Sequence, residues 1–207
     1  MVKRAFRSLL LFVCPCLILS ACAAGSTLHV PGDLTRPARS AVAPAAGAPQ
    51  AVIADFSFAA APNGAVGRDY DRARTIVWNG EPGKAMADLV AAVLRERGVA
   101  TVRQGADAAG SEALPVRVSG VIRRFEVNTR RTGNLTVVTE ANVSLTVKAE
   151  GPGVPNPLEE TVTSSASLSD LFVTPDDIRK ALMPTANTVA EEAAGTLIKA
   201  KVVSPGP

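Results

Sequence analysis

Apolar and polar positions alternate along this chain in two rhythms, one of period two and one of helical period. Val52-Ile53-Ala54-Asp55-Phe56-Ser57-Phe58 reads as a strand, followed by a Gly- and Asn-containing loop from Pro62 to Gly67. Arg74 to Trp78 reads as a short second strand. From Pro82 to Arg97 the spacing turns helical: Met86, Leu89, Val90, Val93 and Leu94 form one stripe, with Lys84, Asp88, Arg95 and Glu96 largely off it. Pro82 suits a first helical turn and Gly98 the left-handed position just past a last one. Val99 to Val102 returns to a strand, completing one β-α-β unit.

Three long β segments follow, Leu114 to Val127, Leu135 to Glu150 and Leu158 to Leu168, separated by a loop from Asn128 to Asn134 and by the Gly- and Pro-rich stretch from Gly151 to Pro157. They read as an antiparallel meander. In the first, the apolar phase slips from Val116 and Val118 to Val121, Phe125 and Val127, as a β-bulge beside Gly120 would produce. Thr174-Pro175-Asp176-Asp177 is a helix start, with a capping threonine, proline in the first turn and acids at the positive end. Ile178, Leu182, Val189, Ala193 and Leu197 give that helix its apolar stripe, and Pro184 is expected to kink or split it. These elements predict an α+β domain over 51–203: a mixed, mostly antiparallel sheet of four to six strands with two helices packed on one face. Residues 204–207 are a frayed tail.

The first residues follow a different pattern. Lys3, Arg4 and Arg7 precede an apolar run from Leu9 to Leu19, too short to span a bilayer, which needs about 20 apolar residues. Residues 1–21 therefore read as an export signal. The run ends in Leu19-Ser20-Ala21-Cys22, which resembles the bacterial lipobox. That resemblance implies cleavage before Cys22, a diacylglycerol on its thiol and a palmitate as a further acyl chain on the α-amine that cleavage frees; Ala23 in the next position implies outer-membrane sorting. The competing reading is an ordinary signal cut nearby, after Ala24. Residues 22–50 then form an Ala- and Pro-rich tether without helical or strand period, and about 28 residues at about 3.1 Å each reach several tens of ångströms.

This processing changes the cysteine and charge counts. Cys14 and Cys16 are discarded and Cys22 is consumed, so no disulfide remains for the domain. Three of the 22 basic residues lie in the signal, leaving 19 against 19 acidic ones. The basic balance thus belongs to the precursor and gives no argument for nucleic acid.

His29 is the only histidine and sits in the tether, so the domain can build no Ser/His/Asp triad, Cys/His pair or histidine metal site. Gly-x-Ser-x-Gly and a phosphate loop are also absent. The carboxylate pairs Asp69/Asp71, Glu159/Glu160, Asp176/Asp177 and Glu191/Glu192 each have a turn, cap or solvated face to explain them. The sequence predicts a non-enzyme without cofactor or metal. Arg123, Arg124, Arg130 and Arg131 flank one predicted hairpin end and are candidate contacts for an acidic partner or phospholipid headgroups, against the simpler reading of a solvated hairpin. Trp78, ahead of Asn79-Gly80-Glu81-Pro82, packs under the first helix or, as the second reading, touches a partner.

Trp78 with Pro82 ahead of the helix ending at Gly98, the strand from Val116 to Phe125, the long strand after it and the closing Ala-rich helix together resemble small envelope lipoproteins of the YajG type and the ABC-type transport auxiliary lipoproteins. The resemblance implies a non-enzymatic, membrane-anchored periplasmic lipoprotein that binds or assembles within an envelope transport system, one that moves lipids among the options. The alternative is a subunit of an oligomeric secretion or surface structure.

Overall fold

The computed structural model describes residues 26–36, 39–44, 51–59, 62–104, 116–151, 154 and 157–204. The signal, Cys22 and residues 205–207 lie outside the described residues. The elements in chain order are β1 (Thr27–Pro31), β2 (Ala51–Ile53), β3 (Ser57–Phe58), β4 (Ala65–Asp69), β5 (Arg74–Asn79), α1 (Pro82–Glu96), β6 (Thr101–Arg103), β7 (Val116–Thr132), β8 (Thr136–Glu150), β9 (Leu158–Asp170) and α2 (Pro175–Lys199).

Among the described residues one nine-stranded mixed sheet holds all the strands, which corrects the expected four to six mostly antiparallel strands. The predicted meander is there, with β8 antiparallel to both β7 and β9. The miscount arises on the other edge of β7. That strand is 17 residues long, and β2, β3 and β4 dock along it one after another, all parallel to it. Strands of two to five residues are too short to show a period of two, so sequence reading merges or drops them. β5 runs antiparallel to β4, and β6 runs parallel to β2.

The outermost strand on that side, β1, lies inside the stretch read as a tether. It pairs parallel with β5 from Thr27↔Thr75 to Pro31↔Asn79, and Leu28 and Val30 enter the core. The following residues cross the helices, where Arg36 Nη2 lies 3.0 Å from Glu96 Oε2 on α1 and 2.8 Å from Glu191 Oε1 on α2. At least residues 26–36 therefore belong to the folded body. The Ala- and Pro-rich run that follows them, from Pro37 to Pro49, hides a strand whose inward positions are only two, Leu28 and Val30.

Other boundaries shift for local reasons. β7 continues through the expected loop to Thr132, and the turn is Gly133 to Leu135, with Gly133 at φ +71°. The bulge falls between Ile122 and Arg124, so both arginines of the pair Arg123-Arg124 face solvent before Phe125 returns to the core. α1 starts at Pro82 and is followed by Gly98 at φ +79°, as its end signals require. α2 is one helix despite Pro184. The proline lies on the exposed side, where solvent is free to take the Lys180 carbonyl left without its donor. Thr174 and Asp177 close a reciprocal cap at its start, the Asp177 amide donating to Thr174 Oγ1 and the Thr174 amide to Asp177 Oδ2.

Candidate functional site

The predicted arginine group is divided by the fold. All four stand on β7, but Arg124 and Arg130 are six residues apart, about 20 Å at strand rise. Arg123 Nε donates to Thr146 Oγ1 and Arg124 lies near Glu126, midway along the sheet. Arg130 and Arg131 stand at the hairpin end, where Arg130 pairs with Glu140 at 2.8 Å and Arg131 with Asp71 at 2.6 Å. Trp78 is a core residue, 3% exposed, with its ring edge-on to Phe125 at 5.3 Å between centroids. Its surface role is withdrawn. His29, placed in the tether by sequence, stands exposed on β1 with Nδ1 3.0 Å from Asn79 Oδ1.

Six of the eight carboxylates in the four sequence pairs have a basic partner. Asp69 is fully buried at the end of β4 and accepts from Arg74 Nη2 at 2.6 Å, Arg74 Nε at 2.8 Å and Thr129 Oγ1 at 2.7 Å. Burial pushes its pKa upward, but these hydrogen bonds outweigh that and hold the carboxyl below the ordinary value. Lys180 faces Asp176 and Asp177, and Lys148 faces Glu159. Among the described residues no group of three His, Cys, Asp or Glu side chains could hold a metal ion. A depression of about 790 Å³, open to solvent, runs between Arg36 and α2. Its cations Arg36, Arg179 and Lys180 are each matched by a carboxylate.

What the fold brings together is one end of the sheet. β1 begins there at Thr27, opposite Thr75; β4 ends there and turns through Tyr70 to Arg74; β7 turns into β8 through Leu135; β9 ends there, followed by Leu171 and Phe172. Five large apolar side chains are exposed among the described residues, and four of them are Tyr70, Leu135, Leu171 and Phe172, each 55% or more exposed. Sequence reading missed this group because each member is a lone apolar residue in a polar turn, as in Asp69-Tyr70-Asp71 and Asn134-Leu135-Thr136. Only the register places them at one end of the sheet.

No family model and no curated protein matches the chain. Its fold is that of solved structures with little sequence in common. Protein XCC0632 from Xanthomonas campestris, assigned to the family DUF330, shares 14% identity at a TM-score of 0.54, covering 86% of this chain and 95% of its own. An uncharacterised protein shares 13% at a TM-score of 0.50, covering 83% and 99%. A dodecamer of PelC from Paraburkholderia phytofirmans shares 15% at 0.42, covering 77% and 92%, a likeness too slight to draw on. The shared property is the α+β architecture, and neither the YajG nor the transport-auxiliary resemblance is carried by it.

Proposed function

We propose that this chain is a lipid-anchored envelope protein, held on the periplasmic side of the outer membrane, that works without catalysis as a binding or assembly component of a transport system of the kind that moves lipids. One observation carries the reading. Leu19-Ser20-Ala21-Cys22 closes a complete export signal, and Cys22 stands five residues before the first residue of β1. Those five residues span at most about 18 Å when extended. An acylated Cys22 would therefore keep the folded body at the bilayer surface, where a component handing lipids or partners to a membrane machine has to be. The paired carboxylates and matched groove cations support a contact role over a reactive centre.

Metabolic labelling with a fatty-acid analogue tests the anchor: label in the wild-type chain and none in Cys22→Ser is expected, and label surviving in Cys22→Ser overturns it. Affinity capture from detergent-solubilised envelopes tests the second half. Co-purification of a stoichiometric envelope transport component is the expected result, and recovery of the bait alone overturns it.

A further inference from the structure

We infer that the Thr27 end of the sheet is a second membrane contact, in which Tyr70, Leu135, Leu171 and Phe172 enter the bilayer that holds the Cys22 acyl chains. The inference rests on Cys22 acylation. Three observations of the fold support it. Four of the five exposed large apolar side chains among the described residues lie at one end of a nine-stranded sheet, and that is the end where the chain enters from Cys22. The four side chains come from three separate turns at that end, where the pairs Asp69↔Thr129, Thr132↔Thr136 and Val137↔Asp170 set the β7–β8 hairpin three residues beyond the end of β4. The turns are also tied to each other, since Asp69 accepts from Thr129 of β7 and Asp71 from Arg131 beside the hairpin turn. The apolar side chains are thus presented on a fixed rim.

The surrounding charges suit an interface between water and lipid. Arg130, Arg131 and Arg74 are matched by Glu140, Asp71 and Asp69, so they enter a headgroup layer without isolated charge. Arg68 and Arg72 are exposed at the edge, and the Arg68 guanidinium lies over the Tyr70 ring at 5.8 Å. An aromatic ring beside a basic side chain is the pairing that favours the headgroup level. A single apolar turn binds a bilayer weakly; the reach of at most about 18 Å from the acylated residue makes the contact intramolecular, so a weak insertion is fully occupied. Because the rim is close to charge-balanced, insertion is expected to depend little on salt.

The test uses the full acylated chain in vesicles of phosphatidylethanolamine and phosphatidylglycerol with brominated acyl chains, which quench a nearby indole. F172W and L135W are compared with E159W at the far end of β9, the buried Trp78 of the wild-type chain setting the baseline. Insertion of about 5–10 Å brings an indole to the acyl boundary, so emission from F172W and L135W is expected to fall by about half or more, at low and high salt alike. E159W is expected to be unaffected. Folding is checked by far-ultraviolet circular dichroism, and L171W and Y70W carry the same test if either variant misfolds. Mass spectrometry of the Cys22 peptide separates the two readings. Acylated chains in which the rim indoles are quenched no more than E159W overturn the contact and leave the anchor standing, including the case where a protein partner covers the rim. A chain without acyl mass on Cys22 overturns both.

Discussion

Asp71 and Arg131 stand 60 residues apart and meet in a two-point ion pair, Nε to Oδ1 at 2.6 Å and Nη2 to Oδ2 at 3.0 Å, that joins the β4–β5 turn to the β7–β8 hairpin. The hydrogen bond from Arg131, with the charge behind it, holds the Asp71 carboxyl below its ordinary pKa. Arg131 also donates to the Asn134 carbonyl in the turn that presents Leu135. An exposed pair of this kind adds little to global stability. Its consequence is local: it keeps two turns in one register. Arg131→Gln is expected to leave the urea midpoint nearly unchanged while amide exchange across Tyr70 to Arg72 and Gly133 to Leu135 speeds up several-fold. Unchanged exchange in both turns would show that the strands alone fix the rim.

Asp69 lies behind that pair and differs from it by being fully buried. Removing one partner of a buried ion pair leaves the other charge without compensation, so Asp69→Ala is expected to cost about 3–5 kcal/mol. The folded carboxyl lies below its unfolded pKa of about 3.9, so its stabilisation is complete above that value and is lost as the pH falls through the folded one. Asp69→Asn, which keeps the shape, is therefore expected to differ from wild type more at pH 7 than at pH 3 in urea unfolding. Equal differences at both pH values would remove the carboxylate's charge from the account.

Leu89 and Val93, expected from their spacing to face the sheet, are 2% and 1% exposed on α1. Leu89→Ala is expected to cost about 2–5 kcal/mol, the range depending on how far the site collapses. A cost below about 0.5 kcal/mol would be that of a surface position.

The elements that were legible before the structure are those with enough residues to repeat a pattern. α1, α2 and the meander each show three or more inward positions in phase, and their end signals at Pro82, Gly98 and Thr174 are local chemistry. The short strands were not legible, because docking β2, β3 and β4 on one edge of β7 is a decision of pairing, made between residues 60 or more positions apart. The arginine group failed for a related reason. Sequence proximity suggested a patch, but a strand separates residues by about 3.3 Å each, and six of them carry Arg130 away from Arg124. The rim is the converse case, in which register brings residues distant in sequence to one end of the sheet.

The role of residues 26–36 gives a last expectation that opposes composition directly. Arg36 sits in an Arg-Pro-Ala-Arg-Ser stretch whose composition reads as linker, where a substitution would be silent. Its side chain is 8% exposed, however, and its guanidinium bridges Glu96 of α1 and Glu191 of α2. Both glutamates are more exposed than the arginine, so they regain water when the bridge is lost and the penalty stays below that of a fully buried pair. Arg36→Met keeps the aliphatic stem and removes the charge, and is expected to cost about 1.5–3 kcal/mol, the range for hydrogen bonds to charged groups. The variant is also expected to be cleaved faster by trypsin at Arg39, which lies three residues beyond the clamp. A silent Arg36→Met, with unchanged cleavage, would return the segment to a tether and would free the Thr27 end of the sheet from the membrane distance that its short connection to Cys22 imposes.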